Sequence, residues 1–251
     1  MKRSEKLYQI TSLKKGVYLV NFDELMNTEY KTTTNILLVE TGKRIFVCDT
    51  YLGKSYLEKV FGELWNDFQD REYVVFNSHA HWDHYWGNSF FLKHQIIAHN
   101  LCYQAMQRSF LVDYQRNQNL AQENIELCLP NLLFSKKIVF PVEQVEVFYT
   151  PGHSEDGISI FFLKHGILFA GDNLEYLIPT YCDFSKGTIK YQETLKHYLK
   201  LEAEIYVPGH EKVLSQLEVK QNLKYLDDVQ NGIIDKYLDD KYFKKHKTNI
   251  L

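Results

Sequence analysis

One tract limits the folds open to this chain more than any other. Ser78-His79-Ala80-His81-Trp82-Asp83-His84 follows directly on the apolar run from Tyr73 to Asn77. The run reads as a buried strand, so four ligand-type side chains are delivered at a strand end within six residues. His79 and His81 stand two apart and, on extended backbone, point to the same side. Asp83 and His84 fall beyond a bend, where Tyr85-Trp86-Gly87-Asn88 begins a turn or short helix. That spacing suits two metal ions close together. A buried polar cluster of this density is costly without partners, and imidazole mixed with carboxylate is the ligand set of zinc or another first-row divalent ion.

Three later strand ends each present one ligand-type residue beside a glycine: Thr150-Pro151-Gly152-His153, Ala170-Gly171-Asp172-Asn173 and Val207-Pro208-Gly209-His210. Singly, each reads as a turn with an exposed histidine or a capping aspartate. Their joint occurrence after the first cluster gives them weight as ligands. The surrounding pattern supplies the strands: Val17 to Phe22, Asn35 to Glu40 and Arg44 to Asp49 early, then Ile96 to His99, Val145 to Tyr149, Ile158 to Leu163, Ile167 to Ala170 and Ile205 to Val207. Helical spacing marks Gly53 to about Phe68 and about Tyr191 to Leu201. The polar, glutamine-rich segment 101–129 reads as a helical insertion in which Tyr103, Met106, Phe110 and Tyr114 form either an apolar wall of a pocket or a packed helix face. Near-heptad spacing over about 218–242 predicts one long amphipathic C-terminal helix that packs on the body and is compatible with a homodimer. With no linker, repeat or low-complexity tract, residues 1–251 read as a single domain.

Charge and cysteine content narrow the function classes. Lysine plus arginine total 29 against 32 acidic residues, a net charge of −3 that offers no global attraction to a polyanion. The basic candidates are confined to Lys136-Lys137 and the tail group Lys241, Lys244, Lys245 and Lys247. No apolar stretch approaches membrane-spanning length, and Met1-Lys2-Arg3-Ser4-Glu5-Lys6 leads into no apolar signal core. Cys48, Cys102, Cys128 and Cys182 form no Cys-x-x-Cys pair and read as reduced, mostly buried small side chains. The expected address is the cytoplasm and the expected partner a small-molecule substrate.

The ordered set H-x-H-x-D-H, then His, Asp and His, resembles the metallo-β-lactamase-fold hydrolases over nearly the whole chain. The resemblance implies an α/β architecture, an αβ/βα four-layer sandwich of two mixed β-sheets with helices outside. It also implies that His79, His81 and His153 hold one metal, that Asp83, His84 and His210 hold a second, and that Asp172 bridges them. Asp49, ending an earlier strand, matches a family aspartate that supports the histidine loop. Two divalent ions, zinc foremost with manganese or iron as alternatives, bring a shared water toward neutral pKa. The resulting bridging hydroxide attacks an ester, thioester or lactone, oriented by Asp83. Asp83 and Asp172 are the candidate catalytic residues.

Within the family, exported β-lactamases typically carry cysteine or another pattern where this chain has Asp172, which separates it from antibiotic hydrolysis. His81 stands where flavodiiron-type members have glutamate, which favours hydrolysis over redox chemistry. His81-Trp82-Asp83-His84 with Gly87-Asn88 is similar to the glyoxalase II version of the motif, although only about 41 residues follow His210 and no glutathione site is recognisable among them. Lactonases use a tyrosine after the bridging aspartate, for which Tyr176 and Tyr181 are candidates. A phosphodiesterase of the same superfamily, or a non-catalytic metal-binding regulator, are the alternatives. His94, His99, His165, His197 and His246 match no ligand pattern.

Overall fold

The computed structural model describes residues 7–42, 44–179, 188–233 and 235–237, except the side chain of Lys236. Two units divide between Ser135 and Lys136, and each is built on its own mixed sheet. The first sheet is assembled in chain order from β1 (Tyr8–Lys14), β2 (Val17–Phe22), β3 (Thr34–Thr41), β4 (Arg44–Cys48), β5 (Glu72–Phe76), β6 (Gln95–His99) and β7 (Leu132–Phe134). Strands β1 to β4 pair antiparallel, and β4 to β7 pair parallel. The parallel half needs crossover connections, which α1 (Lys54–Leu64), α2 (Trp82–Tyr85) and α3 (Asn100–Asn117) help to provide.

Helix α1 buries Tyr56, Leu57, Val60 and Phe61, one stripe at helical spacing. It stops four residues short of the expected Phe68, because Trp65 turns to extended backbone while its N–H still bonds the Phe61 carbonyl. The Phe61 ring is wedged among Trp65, Tyr73, Phe90 and Phe91, with centroids 5.3 to 5.9 Å away. Helix α3 covers the first part of the expected 101–129 segment. One 3-10 turn, Gln118–Leu120, follows it, and the chain then runs without regular structure to Asn131. Met106 and Phe110 are buried in the unit's core and Tyr114 packs against it, so this face of α3 is a packed helix face. Leu111 and Val112 face outward.

The second unit holds β8 (Lys137–Phe140), β9 (Val145–Tyr149), β10 (Ile158–Phe162), β11 (Ile167–Gly171) and β12 (Ile205–Pro208), in sheet order β12-β11-β10-β9-β8. Only the β11/β12 pair is parallel. Helices α4 (Ile189–Leu201) and α5 (Gln216–Gln230) pack through Tyr191, Leu195, Tyr198, Val219, Tyr225 and Leu226. A Ser215/Glu218 capping box starts α5. Asn231 and the left-handed Gly232 (φ 71°) end it. The apolar spacing that predicted helix to about 242 therefore overran a glycine stop, and residues 238–242 lie outside the described residues. Tyr181, Cys182 and His246 also lie outside them.

Three strands escaped the sequence reading: β1, which is a half-exposed edge, and the short β7 and β8. Among the described residues, no helix is long and apolar enough to cross a membrane. Cys48, Cys102 and Cys128 are not in disulfides, the first two are fully buried, and burial pushes the Cys48 thiol well up.

Phe61→Ala is expected to cost about 3–5 kcal/mol of stability, because its four ring neighbours cannot all collapse into the void. Leu111→Ser should stay within about 0.5 kcal/mol. Urea unfolding of the two variants checks both.

Candidate metal centre

In the first unit, β5 ends at Phe76 and hands the chain to Asn77-Ser78-His79, all buried. Asp49, at the end of β4, is fully buried and holds this loop through three hydrogen bonds. Its carboxylate accepts from the Ser78 backbone N–H at 2.7 Å and from the Ser78 hydroxyl at 2.7 Å, and it pairs with His84 Nδ1 at 2.8 Å. Burial pushes the Asp49 carboxyl up, and the His84 and Ser78 contacts oppose that push. Ser78 Oγ also lies 3.0 Å from His79 Nδ1. With the Ser78 proton given to Asp49, the network assigns Nδ1–H to both His79 and His84. That leaves the Nε2 lone pair of each imidazole as a ligand.

The backbone around this loop is strained in a consistent way. Asp49 (φ 63°) and Tyr51 (φ 60°) occupy the left-handed region, at a cost of order 1 kcal/mol each for residues with a side chain. Thr50 N–H bonds the His84 carbonyl at 2.8 Å, and Gly87 N–H bonds the Tyr51 carbonyl at 3.0 Å. A Cβ on Gly87 would collide with the Thr50 carbonyl oxygen. Asn77 and Asn88 exchange amide hydrogen bonds at 2.9 Å, and Thr50 Oγ1 donates to Asn88 at 3.0 Å. Asn77, Thr50, Gly87 and Asn88 therefore fix the turn that follows the motif.

On that loop the His79 ring lies 4.4 Å, centroid to centroid, from both His81 and His84. The ligand atoms of His79 and His81 lie within 4.8 Å of each other, and His84 Nε2 lies 3.6 Å from an Asp83 oxygen. Thr34 Oγ1 donates to Asp83 at 3.4 Å. His81 is exposed, whereas His79, Asp83 and His84 are buried.

In the second unit Asp172 Oδ2 lies 2.9 Å from His210 Nε2 and 3.6 Å from His153 Nε2. The three positions arrive from separate strand ends. Gly209 N–H bonds the Gly171 carbonyl at 2.9 Å and ties the His210 loop to the Asp172 loop, with Gly171 itself left-handed (φ 53°). Asn173, which sequence reasoning passed over, organises the third ligand. Its side-chain carbonyl accepts the His153 N–H at 2.9 Å, and its amide donates to the Thr150 carbonyl at 2.7 Å and to Tyr198 Oη at 3.1 Å. A Cβ on Gly152 would meet Asn173 Oδ1 and the Tyr191 ring, so glycine is required there. The signal for Asn173 lay in its position directly after Asp172, but its partners are distant in sequence.

The structure thus brings His79, His81, Asp83 and His84 together in one unit and His153, Asp172 and His210 together in the other. The donor set fits divalent cations: imidazoles and carboxylates with no thiolate, the His79 and His84 rings being held by hydrogen-bond contacts at Nδ1. Of the remaining histidines, His94 accepts from the Tyr73 N–H at 3.4 Å, His99 caps α3 through the Leu101 N–H at 3.2 Å, and His197 packs edge-on to Phe148. All three have structural partners. Burial is the leading cause that lowers the imidazole pKa of His94 and of His197.

Residues 31–210 match the family model described as the metallo-beta-lactamase superfamily. The chain belongs to that superfamily. The match runs past the first histidine cluster and ends on His210, and membership makes the chain a superfamily hydrolase with candidate metal-binding residues. Among solved structures, the DIM-1 metallo-β-lactamase exposed to ceftazidime superposes with a TM-score of 0.69 at 17% identity, over 89% of this chain and 98% of its own. A metallo-β-lactamase from Pontibacter korlensis gives 0.67 at 17% identity, over 88% and 99%. One from Hirschia baltica gives 0.68 at 17%, over 88% and 98%. These likenesses show the fold: two mixed sheets with flanking helices, the metallo-β-lactamase α/β sandwich implied by the sequence resemblance.

Asp49→Asn should weaken metal affinity about 10–100-fold, because an amide can still accept from Ser78 but presents N–H to His84. Competition with a chromophoric chelator measures this, and circular dichroism of the variant should match wild type.

Proposed function

We propose that the chain is a binuclear metal-dependent hydrolase of small esters, thioesters or lactones. His79, His81 and His153 serve one cation, Asp83, His84 and His210 the other, and Asp172 both. The observation that carries this reading is the orientation of His79 and His84 by Ser78 and Asp49, which leaves both Nε2 atoms as ligands. Bound there, divalent cations, zinc foremost, would supply a water acidified toward neutrality and an electrophile for the scissile carbonyl. Asp83 accepts a hydrogen bond from the attacking water and orients it. Asp49 keeps His84 in one tautomer, and Asn173 keeps His153 in place.

One of the basic candidates supports the ester reading over a phosphodiesterase. Lys137 pairs with Glu146 at 3.0 Å and caps the Phe148 ring, so it is not a free polyanion contact. Lys241, Lys244, Lys245 and Lys247 lie outside the described residues. A cytoplasmic setting agrees with three cysteines that are not in disulfides.

Protein purified without chelator should contain close to two metals per chain by elemental analysis. It should turn over members of a panel of thioesters, lactones, β-lactams and bis-nitrophenyl phosphate with added zinc or manganese. His79→Ala, Asp83→Ala or Asp172→Ala should abolish turnover while secondary structure persists, and His94→Ala or His197→Ala should change it little. Full activity in Asp172→Ala overturns the assigned site. Less than one metal per chain, with no turnover after reconstitution, overturns the hydrolase reading in favour of a regulator.

A further inference from the structure

Four residues after Asp172 and two after His210, the second unit places a tyrosine and a lysine together. Lys212 Nζ sits 3.6 Å from the Tyr176 ring centroid, a close cation–π contact. Lys212 makes no ion pair within 4 Å among the described residues; the Glu218 carboxylate, which it attracts over a longer range, is engaged by the Ser215 N–H and hydroxyl of the α5 cap. The side chain is exposed, yet its position is defined by what lies beneath it.

Both halves of the pair are anchored. The fully buried Asn222 accepts the Glu175 N–H at 3.1 Å and donates to the Glu175 carbonyl at 3.0 Å and the Leu177 carbonyl at 3.2 Å, clamping the backbone on either side of Tyr176. Leu177 takes φ 76° within that clamp. The Lys212 loop is held at one end by Gly209 N–H on the Gly171 carbonyl. At the other end Tyr206 and Leu214 exchange backbone hydrogen bonds at 3.1 and 2.8 Å. The left-handed Glu211 (φ 61°) makes the turn between. An ammonium outside any close ion pair is thus presented on an anchored aromatic ring, two residues after His210 and four after Asp172 in the chain, where Gly209 N–H on the Gly171 carbonyl ties the two loops together.

We propose that Lys212 is a specificity-determining residue that recognises an anionic group on the substrate, a carboxylate carried by the acyl or leaving portion of the ester. This rests on the ester reading above. Tyr176 acts through its ring as the platform for Lys212, and its hydroxyl takes no part in leaving-group departure. The ring face attracts the ammonium without neutralising it, so the full charge remains for a substrate anion, which a carboxylate salt bridge would not allow.

The test compares 4-nitrophenyl monosuccinate with 4-nitrophenyl butyrate, esters that differ chiefly in a terminal carboxylate. Lys212→Met should raise KM for the monosuccinate about tenfold, the loss of one charge-assisted contact, with kcat and both butyrate constants unchanged. Lys212→Arg should restore most of the preference, and added salt should erode it in wild type. Tyr176→Phe should behave as wild type and Tyr176→Leu should lose part of the monosuccinate preference. Equal KM shifts for both esters in Lys212→Met, or a kcat loss in Tyr176→Phe, overturn the assignment. A separate arm follows succinate binding to chelator-treated protein by NMR. Weaker binding to Lys212→Met than to wild type supports the lysine's role, and equal binding overturns it. Wild type that hydrolyses neither ester overturns the ester reading, while the binding arm still decides Lys212.

Discussion

The first unit depends on one buried carboxylate. Asp49 sits at the end of β4, where the parallel β4/β5 pairing brings it beside the start of the histidine loop. Burying a charge is costly unless every lone pair is used, and Asp49 uses three contacts, two to Ser78 and one to His84. The loop cannot drift without leaving that carboxylate unpaired where it is fully buried. The left-handed backbone at Asp49 and Tyr51 is tolerated because those hydrogen bonds, with Thr50 on the His84 carbonyl, over-determine it.

A neutral amide does comparable work in the second unit. Asn173 joins the His153 backbone, the Thr150 carbonyl and the Tyr198 hydroxyl, so one side chain fixes a ligand loop against β9 and α4. Asn222 does the same for the segment after Asp172. The two units reach a common design by different chemistry. In each, candidate ligands stand at strand ends, glycine allows close approach, and a buried polar side chain from a neighbouring element closes the hydrogen-bond account of a loop that would otherwise expose its backbone.

Much of this was legible in the chain. The strand ending at the histidine cluster, the glycine beside each later ligand and the capping serine of α5 are local signals, and local signals survive without tertiary context. The misses have a shared cause. Strand β1 is an edge whose alternation is half exposed, β7 and β8 are short, and the apolar spacing past Gly232 mimics helix although the backbone there cannot continue one. The 101–129 segment left a pocket wall and a packed face equally open, and only the burial of Met106 and Phe110 decided for packing.

The sequence by itself determined the candidate ligand types, their order, and the family that residues 31–210 match. Those follow from residue identity and spacing, which the fold does not alter. Tertiary structure decided which nitrogen of His79 and His84 is engaged by a neighbouring side chain, that Asn173 rather than a neighbour positions His153, and that the Tyr176 ring carries the Lys212 charge. The His84 tautomer and the Asn173 and Asn222 clamps depend on contacts between residues 20 to 47 positions apart, and such contacts exist only once the fold has brought distant segments to hydrogen-bond range.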